Sequence, residues 1–146
     1  MSIWTGSLVF FSFVVAPSAF AHFDRELAGK FVGGLFVPYW LIHIACGAVA
    51  LGSMAVLGAQ GSVRNAMLRA GLLAGMLVLF GANLALTGPI HRAGEVRSVA
   101  EDGTPEHDAA AKTFSRLHGL SMAMNALVIL AIAAYWFFLA RVWGPI

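Results

Sequence analysis

Residues 31–59 read FVGGLFVPYWLIHIACGAVALGSMAVLGA, without a single aspartate, glutamate, lysine or arginine. A helix crossing a hydrocarbon core of ~30 Å needs about 20 apolar residues, so this run is long enough to span a membrane. Working outward, three further apolar runs cover about 3–21, 65–88 and 113–141. The chain of 146 residues is 60% hydrophobic and 11% charged. Four spans with short connections nearly exhaust it and leave no space within it for a soluble catalytic domain. The expected fold is all-α, an antiparallel four-helix transmembrane bundle forming one domain over 1–146, with the lipid bilayer as its first partner.

The polar residues punctuate these runs. His22-Phe23-Asp24-Arg25-Glu26 reads as the first loop and Gln60-Gly61-Ser62 as the second turn. Pro17 and Pro38 lie inside spans, where neighbouring helices tolerate proline. Gly88-Pro89 is expected to end or kink the third span, giving a polar loop over 90–112. Within it, Thr104-Pro105-Glu106 has the order of an N-cap, a first-turn proline and an early acid, so the fourth helix is expected to start near Pro105. Trp4, Trp136 and Trp143 suit an interfacial belt. The Met1 to Trp4 segment lacks the basic residues of a secretory signal, so the first run is expected to stay in place as a span.

Arg25, Lys30, Arg92, Arg97, Lys112 and Arg116 fall on one side of the bundle, and Arg64, Arg69 and Arg141 on the other. The excess favours loops one and three in the cytoplasm and both termini outside. A bacterial inner membrane is the expected location. The net charge of +2 and the lack of a dense basic run argue against nucleic acid as a partner.

Polar side chains at membrane depth are costly, so function is sought there. Counting 1.5 Å per residue along alternating helices gives two layers. His22, His91, His118 and Asn83 form a shallow one, and His43 with Asn125 a deep one. Tyr39 lies one turn before His43, and Ser121 lies between His118 and Asn125 on one helical face. Met122 and Met124 are expected in the core. Gly29 with Gly33, and Gly71 with Gly75, are GxxxG pairs, read as tight packing within the bundle.

Two readings of these residues stand. In the first, Tyr39, Asn83, Ser121 and Asn125 are a polar seam that hydrogen-bonds helix to helix. In the second, His118 with His22, His91 or His43 holds haem or a transition metal, as histidines on facing bundle helices can. No HExxH or CxxC motif supports a particular metal, and His43 followed by Cys46 is a weak soft-metal pair. The spans carry no acid, which argues against a carboxylate proton relay.

Three segments carry a family likeness: Ala16-Pro17-Ser18-Ala19-Phe20, continuing through Arg25, Ala28-Gly29 and Gly34-Leu35-Phe36 to Tyr39; Asn83 with Pro89; and Phe114-Ser115-Arg116-Leu117-His118-Gly119-Leu120-Ser121 with Asn125. Together they resemble the transmembrane protein 205-like family, catalogued in bacteria as a domain of unknown function. The likeness implies a four-helix membrane fold with no established enzymatic activity. In the eukaryotic relative it implies a link to platinum-drug resistance through export or trafficking. The opening segment also looks, more loosely, like copper-resistance and haem-pathway membrane proteins.

The leading expectation is a non-enzymatic membrane protein, an accessory subunit or a transport-related factor, working as a homo-oligomer or within a larger membrane complex. The alternative is a haem- or metal-binding membrane protein active in electron transfer. A haem-pathway oxidoreductase is the third reading, and no residue is assigned a catalytic role.

Overall fold

The computed structural model describes residues 1–57 and 62–143. Four helices among them are long and apolar enough to cross a membrane: α1 (Ser2–His22), α2 (Arg25–Leu57), α3 (Val63–Val99) and α4 (Pro105–Trp143). The protein is an all-α bundle. Its surface is apolar, with Val78 71% and Leu130 66% exposed, while its interior holds polar side chains, with His43 and Asn83 each 1% exposed. That inversion suits a lipid solvent, in which exposed hydrocarbon costs nothing and polar groups must find partners inside.

Local chemistry accounts for the helix limits. Pro17 has no N–H for the carbonyl one turn back, and its ring crowds that turn. The chain answers with a π-helical turn over Phe11–Val15, and the N–H of Ala16 bonds the carbonyl of Phe11. The first loop is shorter than expected. The Asp24 carboxylate accepts the Leu27 N–H at 2.8 Å, and Lys30 pairs with Glu26 at 2.7 Å, so α2 starts at Arg25 and not near Phe31. Ser62 caps α3 by accepting the Asn65 N–H. The rest of the expected turn at 60–62 lies outside the described residues.

The largest difference concerns the stretch expected as a polar loop over 90–112. The helix α3 continues through Gly88-Pro89 to Val99, and α4 begins at Pro105. Tertiary packing overrides the proline here. Ala93 and Ala110 are buried, Gly94 lies against the Phe114 ring, and the Arg97 guanidinium lies 4.7 Å over that ring. The α3–α4 hairpin closes in a tight turn where Gly103 has φ of 82°, a left-handed conformation that glycine adopts readily. Thr104 caps α4 through the His107 N–H at 3.3 Å. His107 contacts Asp102 at 3.2 Å.

Around the bundle, α3 and α4 share the largest interface, α2 and α3 the next, and α1 leans on α2 and more lightly on α4. The diagonal pairs meet through long side chains. Trp4 of α1 reaches Phe80 of α3, with ring centroids 5.9 Å apart. The core is aromatic around these two residues, with Trp40 5.8 Å from Phe80 and Phe11 4.3 Å from Tyr39.

Two expectations about the boundary change. Trp4 is 1% exposed and is a core residue, not part of an interfacial belt. Trp136 is exposed and donates to Thr5 at 2.9 Å. The side chain of Trp143 lies outside the described residues. Met122, expected in the core, is exposed, because Ser121 takes the inward position on that turn.

Candidate functional site

The deep polar residues sit on inward faces because each occurs at helical spacing within a run that is otherwise apolar. On α2, Tyr39 and His43 lie one turn apart and both are buried. The His43 Nδ1–H donates to the Tyr39 carbonyl at 2.7 Å. That bond holds the proton on Nδ1 and leaves Nε2 as an acceptor, 3.5 Å from the Ser7 hydroxyl of α1. Ser7 also donates to the Trp4 carbonyl at 2.9 Å, so its single proton serves one partner at a time. The imidazole is held between rings, 4.1 Å from Tyr39 and 5.0 Å from Phe80.

One turn away the network crosses the diagonal. The Tyr39 hydroxyl donates to Asn125 Oδ1 of α4 at 3.4 Å, and Asn125 Nδ2 donates to Ser12 of α1 at 3.3 Å. Three helices therefore meet at one amide. A second link joins α3 and α4, where the buried Ser121 hydroxyl donates to Asn83 Oδ1 at 2.6 Å. Asn83 Nδ2 returns to the Leu79 carbonyl, and Thr87 donates to the Asn83 carbonyl. Tyr39, Asn83, Ser121 and Asn125 thus all make bonds between helices.

The four histidines do not share one environment. His22 is exposed and donates from Nδ1 to the Ser18 carbonyl at 2.9 Å. His91 is exposed and pairs with Glu95 at 3.3 Å. His118 is half-buried and stacks on Phe114, with centroids 5.5 Å apart. His43 alone is fully buried. Among the described residues, no three histidine, cysteine, aspartate or glutamate side chains converge in a way that could hold a metal ion. His43 and Cys46 therefore have no third such ligand at hand.

Sequence reasoning passed over several residues that build this centre. Ser7 and Ser12 supply the α1 partners, and Trp4 and Phe80 wall the site. The signal was present: Trp4, Ser7, Leu8 and Phe11 follow the three- and four-residue spacing of one helical face. Arg69, counted as a loop-side charge, is 4% exposed within α3.

The GxxxG pairs also lie elsewhere than expected. Gly29, Gly71 and Gly75 are exposed, and a side-chain carbon placed at any of them, or at Gly33, would meet nothing within 4 Å. They do not pack helices inside this bundle. The close helix contact falls instead at Gly47, where such a carbon would lie 2.6 Å from Leu77 and 3.1 Å from Trp4.

Fold and interior together define a polytopic membrane protein, a four-helix bundle tied internally by side-chain hydrogen bonds. Residues 1–96 match the family described as a domain of unknown function (DUF4149), and the chain belongs to that family. No curated protein matches the chain, and neither does any solved structure. The match takes in His43, Tyr39 and Asn83 and stops short of α4, which supplies Ser121 and Asn125.

Proposed function

We propose that the protein is a non-enzymatic accessory subunit that works by assembling with other membrane chains, copies of itself included. The observation that carries this reading is the exposed pair Gly71 and Gly75, one turn apart on α3 and facing open space. Small residues let helix backbones approach closely, and such approach drives helix association in lipid. The interior supports the same reading, since its amide and hydroxyl groups bond to one another. The likeness to the transmembrane protein 205-like family extends the reading to a transport-related factor. The basic excess around the α1–α2 and α3–α4 connections supports a cytoplasmic position for them, in a bacterial inner membrane.

Cross-linking in native membranes, followed by size analysis in mild detergent, tests it. Wild type should run as a multimer or with a partner, and replacing Gly71 and Gly75 with isoleucine should release single chains. A wild-type particle that is a single copy without partners would overturn the proposal.

A second reading is favoured by the His43 tautomer. An imidazole with its proton on Nδ1 offers Nε2 to haem or a metal, as ligating histidines do. The visible spectrum and elemental analysis of purified protein test this. A Soret band or stoichiometric metal, lost in His43→Ala, would establish it, and a bare protein spectrum with no metal would remove it.

A further inference from the structure

Between α2 and α3 the outer surface holds a recess of about 460 Å³, within the ~300–1,000 Å³ of ordinary ligand clefts. Glycine leaves it open: Gly33 and Gly34 line it from α2 and Gly88 from α3, and a side-chain carbon at any of the three would meet nothing within 4 Å. Leu84 lines the recess a turn below Gly88, and His91 with Arg92 lie at its other end. Val37 and the glycines complete walls that are mostly apolar, with Thr87 the polar side chain between Leu84 and a cationic end.

Depth in the bilayer gives that end its meaning. No charged residue occurs on α3 between Arg69 and Arg92. Arg69 is itself buried, so the exposed arginines that flank this stretch are Arg64 and Arg92, about 42 Å apart at 1.5 Å per residue and more than enough to cross the ~30 Å of a hydrocarbon core. Arg92 therefore lies at headgroup level, with the glycine-floored recess leading from it into the acyl region. Among the described residues Arg92 makes no ion pair, hydrogen bond or ring contact, whereas neighbouring Lys30 and Arg97 are engaged by Glu26 and Phe114. Glu95, the nearby acid on α3, is occupied by His91 Nδ1.

We infer that this recess is a binding site for one anionic phospholipid, its phosphate on Arg92 beside His91 and one acyl chain along Gly34 and Gly88. A guanidinium matches phosphate in both charge and fork geometry, and basic pockets between transmembrane helices recognise anionic headgroups. The second outer recess, lined by Phe10, Val14, Ser18 and His22, has no arginine or lysine and takes no part.

The test is native mass spectrometry of the full chain in detergent, titrated with dioleoyl phosphatidylglycerol or dioleoyl phosphatidylcholine. Wild type should retain one phosphatidylglycerol about fivefold better than phosphatidylcholine, the factor expected of one basic residue at a charged surface. Arg92→Gln should abolish the preference, and Lys112→Gln, on the same side but outside the recess, should leave it intact. Gly34→Leu with Gly88→Leu should fill the recess and lose both lipids. Excess inorganic phosphate should not displace the lipid. An unchanged preference in Arg92→Gln, equal losses in Arg92→Gln and Lys112→Gln, or displacement by inorganic phosphate would each overturn the assignment. Should the double leucine variant fail to fold, the arginine and lysine pair still decides.

Discussion

The polar groups at mid-depth and those at the α1–α2 and α3–α4 end of the bundle have the same chemistry and different uses. Inside the bundle, Tyr39 with Asn125, and Asn83 with Ser121, reach across to other helices, and Asn83, expected in the shallow layer with the histidines, is buried apart from His22 and His91. At the end, His22 and His91 bond to their own helix one turn away and stay exposed. The difference is the solvent. A hydroxyl or amide surrounded by hydrocarbon has no water to fall back on, so the nearest helix becomes its partner. A histidine at headgroup level keeps water and is satisfied locally. Depth separates these two groups, while at the opposite end Trp136 and Asn65 also reach across to neighbouring helices, to Thr5 and to the Phe138 carbonyl.

The most severe way to break the mid-depth region is to empty it. Phe80 is fully buried and its ring touches those of Trp4, Trp40 and His43. Phe80→Ala should cost about 3–5 kcal/mol, read as a large fall in unfolding temperature in detergent. A fall no greater than that of a lipid-facing control such as Leu130→Ala would mean that the aromatic cluster is not the core of the bundle.

Overfilling comes next. Gly47→Val must push Leu77 and Trp4 aside and should cost about 1–3 kcal/mol. Gly34→Ala enters open space and should cost nothing. Equal effects at the two glycines would contradict the packing that separates them.

These contrasts also show what the sequence could reveal. Span number and the α4 start at Pro105 were legible, because long apolar runs and a Thr-Pro-Glu order carry their own physics. The structure buries Tyr39, Asn83 and Ser121 and half-buries Asn125, whereas Ser53, equally isolated in an apolar run, stays exposed and bonds its own helix, so spacing alone did not tell the two kinds apart. The course of α3 beyond Pro89 was not legible. It depends on Gly94 and Arg97 meeting Phe114 of another helix, a contact that local signals do not encode. Met122 and Trp4 exchanged their expected places for a related reason: in lipid, hydrophobicity no longer separates inside from outside, and shape and hydrogen bonding do.

Asn125→Leu removes the amide that joins Tyr39 and Ser12 and should destabilise by about 1 kcal/mol, within the range of hydrogen bonds between membrane helices. A double-mutant cycle with Tyr39→Phe sharpens the assignment. If the two groups bond each other, the losses in the two single variants should exceed their share in the double variant. Strict additivity would show that the 3.4 Å contact contributes nothing.

The smallest effect expected is the most discriminating for the histidines. His91→Ala and His22→Ala should each change stability by no more than about 0.5 kcal/mol, as surface substitutions do, because each loses only a bond to its own helix while water remains available. A haem or metal held jointly by the shallow histidines predicts the opposite: loss of the bound group and a large fall in thermal stability, since a ligand that binds only the folded state stabilises it by mass action. Unfolding curves of the two variants, recorded beside the visible spectrum, separate these cases in one experiment. A near-zero shift with an unchanged spectrum would leave His118, stacked on Phe114, and His43, enclosed by Tyr39 and Phe80, as the two of the four candidate histidines on which a bound group would have to depend.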